Sequence, residues 1–198
     1  SSIGGSAFSG CTGLTSVTIP SQLTSINGYT FNGCTGLTEV NLPEGLTTIY
    51  AYAFQNCTSL TSIDLPDSIT TLAACTFNGC TKLAEVGYPA GWTDVLDYYN
   101  NASSYYGDGS RYIYSPFQGC TALTKIVVDE GVTSIPKHAF RGQTSLEEVV
   151  LPESLTSIGA YAFDSCTGLK TINLENSLTT INGQAFQGCT GLKAITFP

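Results

Sequence analysis

FNGCTGLTEVNLPEGLTTI, residues 31–49, is the unit from which the chain is built. Phe8, Phe31, Phe54 and Phe77 recur with a 23-residue period, as do Phe117, Phe140, Phe163 and Phe186. The step from Phe77 to Phe117 is longer, one period plus an added stretch. A fixed period of this size predicts a solenoid, in which each unit buries its apolar face only by stacking on the next.

With each Phe as position zero, Thr stands at +4 and Leu at +6 in all eight units. Val or Ile stands at +9, a further apolar residue at +11, and Pro most often at +12. The +9/+11 pair alternates with polar +8 and +10, the period of a half-buried strand. Proline cannot donate to a ladder and is expected to end that strand. Apolar residues at +15 and +18 (Leu23 and Ile26, Leu46 and Ile49) predict either a second short extended segment or an irregular turn. Asn27-Gly28 and Asn182-Gly183 then offer the positive-φ positions of a turn. The AFxGC segment fits one short helical turn with its Phe directed inward. The expected fold is mostly β, an α/β repeat of about eight coils, with parallel strands ~4.8 Å apart along a sheet of roughly 35–40 Å.

The whole pattern, LxxVxIPxxLxxIxxxAFxGCTxL, resembles the 23-residue leucine-rich repeat of BspA-type surface proteins, also known from treponemal membrane proteins. The resemblance covers residues 1–198 as one domain, apart from a Tyr-rich insertion at about 96–113. It implies a right-handed leucine-rich-repeat solenoid, extracellular or on a microbial cell surface, serving adhesion and protein binding. The chain opens and closes within a repeat, which suggests a fragment of a longer protein. Departures from the pattern are Gln143 at a cysteine position, Asp129 and Glu175 at proline positions, and the insertion itself.

Composition narrows the partners. Only 11% of residues are charged, against roughly 25% in an average soluble protein, and the net charge is −8. Nucleic acid needs a basic footprint and an anionic membrane a basic face, so both are disfavoured. No apolar run reaches the roughly 18 residues needed to span a bilayer.

Seven of the eight cysteines share position +3, and Cys75 is the extra one. In a ladder each thiol meets equivalent neighbours above and below, and parallel Cβ vectors are poor bridging geometry. Buried, reduced thiols are therefore expected, with a Cys75 bridge to Cys80 or another neighbour as the alternative. Ligands recurring along an axis do not converge as a zinc site requires, so neither a metal nor another cofactor is expected. His138 is the only histidine and shares its phase with Tyr29, Tyr52 and Tyr161, which predicts a half-exposed stacking position. Glu39, Asp64 and Glu85 lie on the outward strand face, where a glycosidase-like carboxylate pair would lack a desolvating pocket. No catalytic motif surrounds any of them, and a non-enzymatic chain is expected.

The insertion carries Tyr98, Tyr99, Tyr105, Tyr106, Tyr112 and Tyr114, with Asp97, Asp108 and Arg111 among them. Tyrosine offers large contact area at low entropy cost, as in antibody-like recognition loops. The alternatives are a loop folded back over the solenoid, or a calcium loop from Asp94, Asp97 and Asp108, which lacks EF-hand spacing. The leading expectation is a protein-binding or adhesion domain. Its candidate residues are Trp92, Tyr98, Tyr99, Tyr105, Tyr106, Arg111 and Tyr112 at the insertion, and Glu39, Asn41, Asp64, Glu85, Lys125 and Glu148 on the sheet. The partner would be a host or neighbouring-cell protein, such as an extracellular-matrix or plasma protein. The alternatives are a structural spacer and a carbohydrate-binding module in which Trp92 and the tyrosines stack on sugar rings, with end-to-end self-association of the coils as a further partnership.

Overall fold

The structure, a computed structural model, describes residues 2–97, 113–174 and 177–197. Each coil before the last contributes a three-residue strand and then, before the next turn, a second strand of two or three residues. In chain order these are β1 (Ser16–Thr18), β2 (Ser25–Ile26), β3 (Glu39–Asn41), β4 (Thr48–Ile49), β5 (Ser62–Asp64), β6 (Thr71–Ala73), β7 (Glu85–Gly87) and β8 (Asp94–Leu96). After the insertion come β9 (Lys125–Val127), β10 (Ser134–Ile135), β11 (Glu148–Val150), β12 (Ser157–Ile158), β13 (Thr171–Asn173), β14 (Thr180–Ile181) and β15 (Ala194–Thr196). Odd strands pair with odd and even with even, always in parallel and between equivalent positions of adjacent coils, as in Val17↔Val40 and Ile26↔Ile49. The chain is a leucine-rich-repeat solenoid with two strand-bearing sides, so the +15/+18 segment is a strand rather than an irregular turn.

The third side is built from the AFxGC segments. They are runs of tight turns rather than helix, and no helix occurs among the described residues. Left-handed residues at +2 in every coil, and at −2 in every coil but that of Ser115, explain this. At +2 every unit has φ between 57° and 77°: Gly at six positions, Asn56 and Ser165 at the others. At −2 the same conformation holds Tyr29, Tyr52, Cys75, His138 and Tyr161 at φ 59–62°. A residue in this region cannot continue a right-handed helix. The expected positive φ at Asn27-Gly28 and Asn182-Gly183 is therefore displaced onto the bulky −2 residue. At +19 glycine answers a need for space instead, since a Cβ on Gly159 would lie 2.4 Å from Lys137 N.

The core follows the sequence periods. Phe31, Phe54, Phe77, Phe117, Phe140 and Phe163 are essentially fully buried and stack along the axis with centroids 5.3–5.9 Å apart. Leu at +6 and the apolar residues at +15 and +18 complete it. All eight cysteines are unbridged, and the ladder members Cys34, Cys57, Cys80, Cys120 and Cys166 are buried. Each of these thiols donates to the Phe carbonyl of the preceding coil, as Cys57 Sγ does to Phe31 O at 3.3 Å and Cys80 Sγ to Phe54 O at 3.0 Å. Cys75 is likewise free and buried. Burial pushes the thiols up, Cys34 and Cys75 to about 11 and Cys120 to about 12.

Candidate binding face

The odd strands form the more open side of the solenoid, and their fixed register sorts the outward side chains into columns. The +8 column reads Ser16, Glu39, Ser62, Glu85, Lys125, Glu148, Thr171. The +10 column reads Thr18, Asn41, Asp64, Gly87, Val127, Val150, Asn173. This register would set identical charges directly opposite one another if the repeats were identical. The sequence avoids this by alternating acids with serine and by placing Lys125 next to Glu148.

Glu39, Asn41, Asp64, Glu85, Lys125 and Glu148 are all exposed on this side, and the structure brings them onto one surface. Asn41 Nδ2 donates to Glu39 Oε1 at 2.9 Å, and Lys125 Nζ donates to Glu148 Oε1 at 2.9 Å. These solvated contacts order the surface and contribute little to stability. Beside the Lys125–Glu148 pair lies a feature that the charge pattern alone does not reveal. Val127 and Val150 are register partners, 46% and 39% exposed, on a column that is otherwise polar or glycine. A shallow hollow of about 150 Å³ adjoins Val150, lined also by Glu148, Leu151, Thr171 and Asn173 among others. The signal in the sequence is valine at +10 in two consecutive units, where other coils carry Thr, Asn, Asp or Gly.

Trp92 does not belong to any surface. It is 1% exposed, its Nε1 donates to Asp94 O at 2.9 Å, and its ring meets Phe117 and Phe140 edge-on. Trp92 occupies the +15 core position normally held by Leu or Ile, which leaves no ring face for a sugar. Tyr98, Tyr99, Tyr105, Tyr106, Asp108, Arg111 and Tyr112 lie outside the described residues. Tyr114 is 44% exposed. Asp94, at the root of the insertion, reaches Lys137 Nζ at 3.5 Å and so links the two coils that flank it.

A second constellation follows the insertion. His138 stacks on Tyr161 with centroids 5.2 Å apart, and the Arg141 guanidinium sits 4.5 Å from the same ring. Arg141 Nε donates to Asp164 Oδ2 at 2.7 Å, with both side chains buried. His138 is only 7% exposed, so the half-exposed position expected of it is corrected to a buried one. Burial, with the Arg141 and Lys137 charges adding to it, lowers its imidazole to about 4. At neutral pH it is an uncharged ring in an aromatic stack.

The comparisons with known proteins agree with this geometry. The BspA type Leucine rich repeat region matches in six copies, over residues 1–104 and 113–198. The leucine-rich-repeat protein of T. pallidum superposes with a TM-score of 0.62 at 30% identity, over 85% of this chain and 71% of that one. A leucine-rich-repeat protein from Bacteroides ovatus gives 0.58 at 24% identity, over 98% of this chain and 58% of that one, and supports the fold alone. Among curated protein sequences none matches. Over most of its length, with both the repeat pattern and the stacked architecture in agreement, the chain belongs to the BspA-type leucine-rich-repeat family.

Proposed function

We propose that this chain is a non-enzymatic protein-binding or adhesion domain of a secreted or surface-anchored microbial protein. The observation that carries this reading is the Val127–Val150 pair, exposed side by side on a face that is otherwise polar. Adjacent apolar side chains in water, rimmed by an ion pair and by hydroxyl and amide groups, have the make-up of a small interface core. The partner it suits is a host or neighbouring-cell protein that buries an apolar side chain against the valines. Glu39, Asp64 and Glu85 extend the face toward the first coils and favour basic groups on the outer part of such a partner. The Tyr-rich insertion is a second contact element in this proposal, reasoned from its composition.

The test is a panel of immobilised extracellular-matrix and plasma proteins probed with the 198-residue chain and with a chain lacking residues 97–113. Saturable binding to a panel protein supports the reading. Absence of binding across the panel favours a spacer, whose role would depend on length rather than on surface.

A further inference from the structure

The turn side of the solenoid is stitched by backbone bonds repeated from coil to coil. At the Phe position Phe31 N donates to Ala53 O, Phe54 N to Thr76 O, Phe77 N to Pro116 O and Phe140 N to Ala162 O. At +2, Gly33 N donates to Gln55 O, Gly79 N to Gln118 O and Gly142 N to Asp164 O. One step breaks both rows. Phe117 N turns instead to Ser115 Oγ at 3.1 Å, and Gly119 N makes no backbone bond to the next coil among the described residues. The Phe117–Phe140 stack is correspondingly the widest, 5.9 Å.

Gln143 stands in this opened step, where every other coil has cysteine. Its Nε2 donates to Cys120 O at 2.7 Å and to Ser145 Oγ at 2.9 Å, which fixes the amide orientation. Among the described residues its Oε1 is left buried without a hydrogen-bond partner, and so is Oε1 of Gln118. Both residues line one cavity of about 100 Å³, with Gly119, Thr121, Gly142, Thr144 and Ser145. Buried polar atoms in native proteins are satisfied in all but a few cases. A residue 2% exposed that lines a cavity and holds an unpartnered acceptor marks a place for a guest.

The lining decides the chemistry. Among the described residues no charged side chain borders the cavity, which argues against phosphate, carboxylate or a divalent ion. Amide oxygens, hydroxyl groups and a Gly119 N–H that makes no backbone bond among the described residues together ask for a neutral group that both donates and accepts. We propose that the cavity between the fifth and sixth coils is a subsite for the hydroxyl-bearing edge of a neutral polyol or sugar. The volume corresponds to roughly three waters, enough for one hydroxymethyl or vicinal diol edge but not a whole ring. This site lies on the turn side, not on the strand face proposed above, and neither depends on the other.

The test is nitrogen-resolved NMR of the side-chain amides of Gln118 and Gln143 during titration with glycerol and with glucose, set beside potassium and ammonium chloride. The proposal expects saturable shifts of both amides with glycerol or glucose, at midpoints on the order of millimolar. It expects those of Gln118 to vanish in Gln143→Cys, which restores the ladder residue. Shifts produced by the salts alone, shifts that survive Gln143→Cys, or no saturable shift with any probe would each overturn it. Backbone spectra of Gln143→Cys report whether the variant is folded, and Gln118→Leu supplies a second variant that leaves the cysteine ladder untouched.

Discussion

Phe77 and Phe117 stack with ring centroids 5.5 Å apart and planes 3° from parallel, although the whole insertion lies between them in the chain. The coil after the insertion therefore resumes the phase of the coil before it. Cys120 Sγ still donates to Phe77 O at 3.3 Å, as each earlier ladder thiol does to its own neighbour.

Deleting residues 97–113 removes the added stretch and restores the regular period across the junction. Closing a shorter loop between ends already in place changes stability by only about 1 kcal/mol. Urea unfolding of the deletion chain is expected to agree with the parent within that margin. Phe117→Ala, by contrast, opens a cavity in the ladder and is expected to lose ~3–5 kcal/mol.

His138 carries a pH dependence whose sign follows from its lowered value. The folded ring titrates at about 4 and the unfolded one near 6.5, so between these values the unfolded chain binds more protons. Stability is full above pH 6.5, falls as pH drops toward 4, and is flat below for this group. The shift corresponds to at most roughly 3 kcal/mol. Unfolding free energies measured from pH 4 to 7 should show that slope, and His138→Tyr, the residue its phase carries elsewhere, should remove it.

Arg141 and Asp164 occupy the +1 position, where Gln55 Nε2 donates to Asn78 Oδ1 at 3.1 Å in the earlier coils. Arg141→Leu alone strands a buried carboxylate and is expected to cost ~3–5 kcal/mol. The double substitution Arg141→Gln with Asp164→Asn rebuilds the neutral pair and is expected to lose less than half of that. A calorimetric melt of the two variants checks the ordering.

Thiol accessibility should follow position in the stack. Cys11 is exposed and Cys189 half-buried, while the inner ladder cysteines and Cys75 are buried. An aromatic disulfide reagent at pH 8 is expected to modify Cys11 fast, Cys189 slowly and the others only on unfolding. Mass spectrometry of timed samples resolves the order.

The period, the strand at +9 and the burial of Phe, Leu and Cys are legible in the sequence because stacking makes them depend on spacing alone. The turn geometry is not. Tyr29, Tyr52 and His138 adopt φ near 60°, which local propensity disfavours, because the stacked coils on either side fix the backbone there. Trp92 departs from its expected surface role for a related reason: aromatic rings occur at surfaces and in cores alike, and only its +15 phase points inward. Of the candidate face, the charged columns can be read from alternation. The valine pair needs the register, and the Gln118–Gln143 cavity needs the missing hydrogen bonds.

If the strand face around Val127 and Val150 grips a protein partner, as proposed, charges placed there must weaken the grip. The most direct measurement is the affinity of Val127→Glu/Val150→Glu for a panel protein that binds the parent, with far-ultraviolet circular dichroism matched between the two. Two charges placed in a small apolar contact are expected to weaken binding at least tenfold, about 1.4 kcal/mol or more. An affinity unchanged by this double substitution would contradict the account.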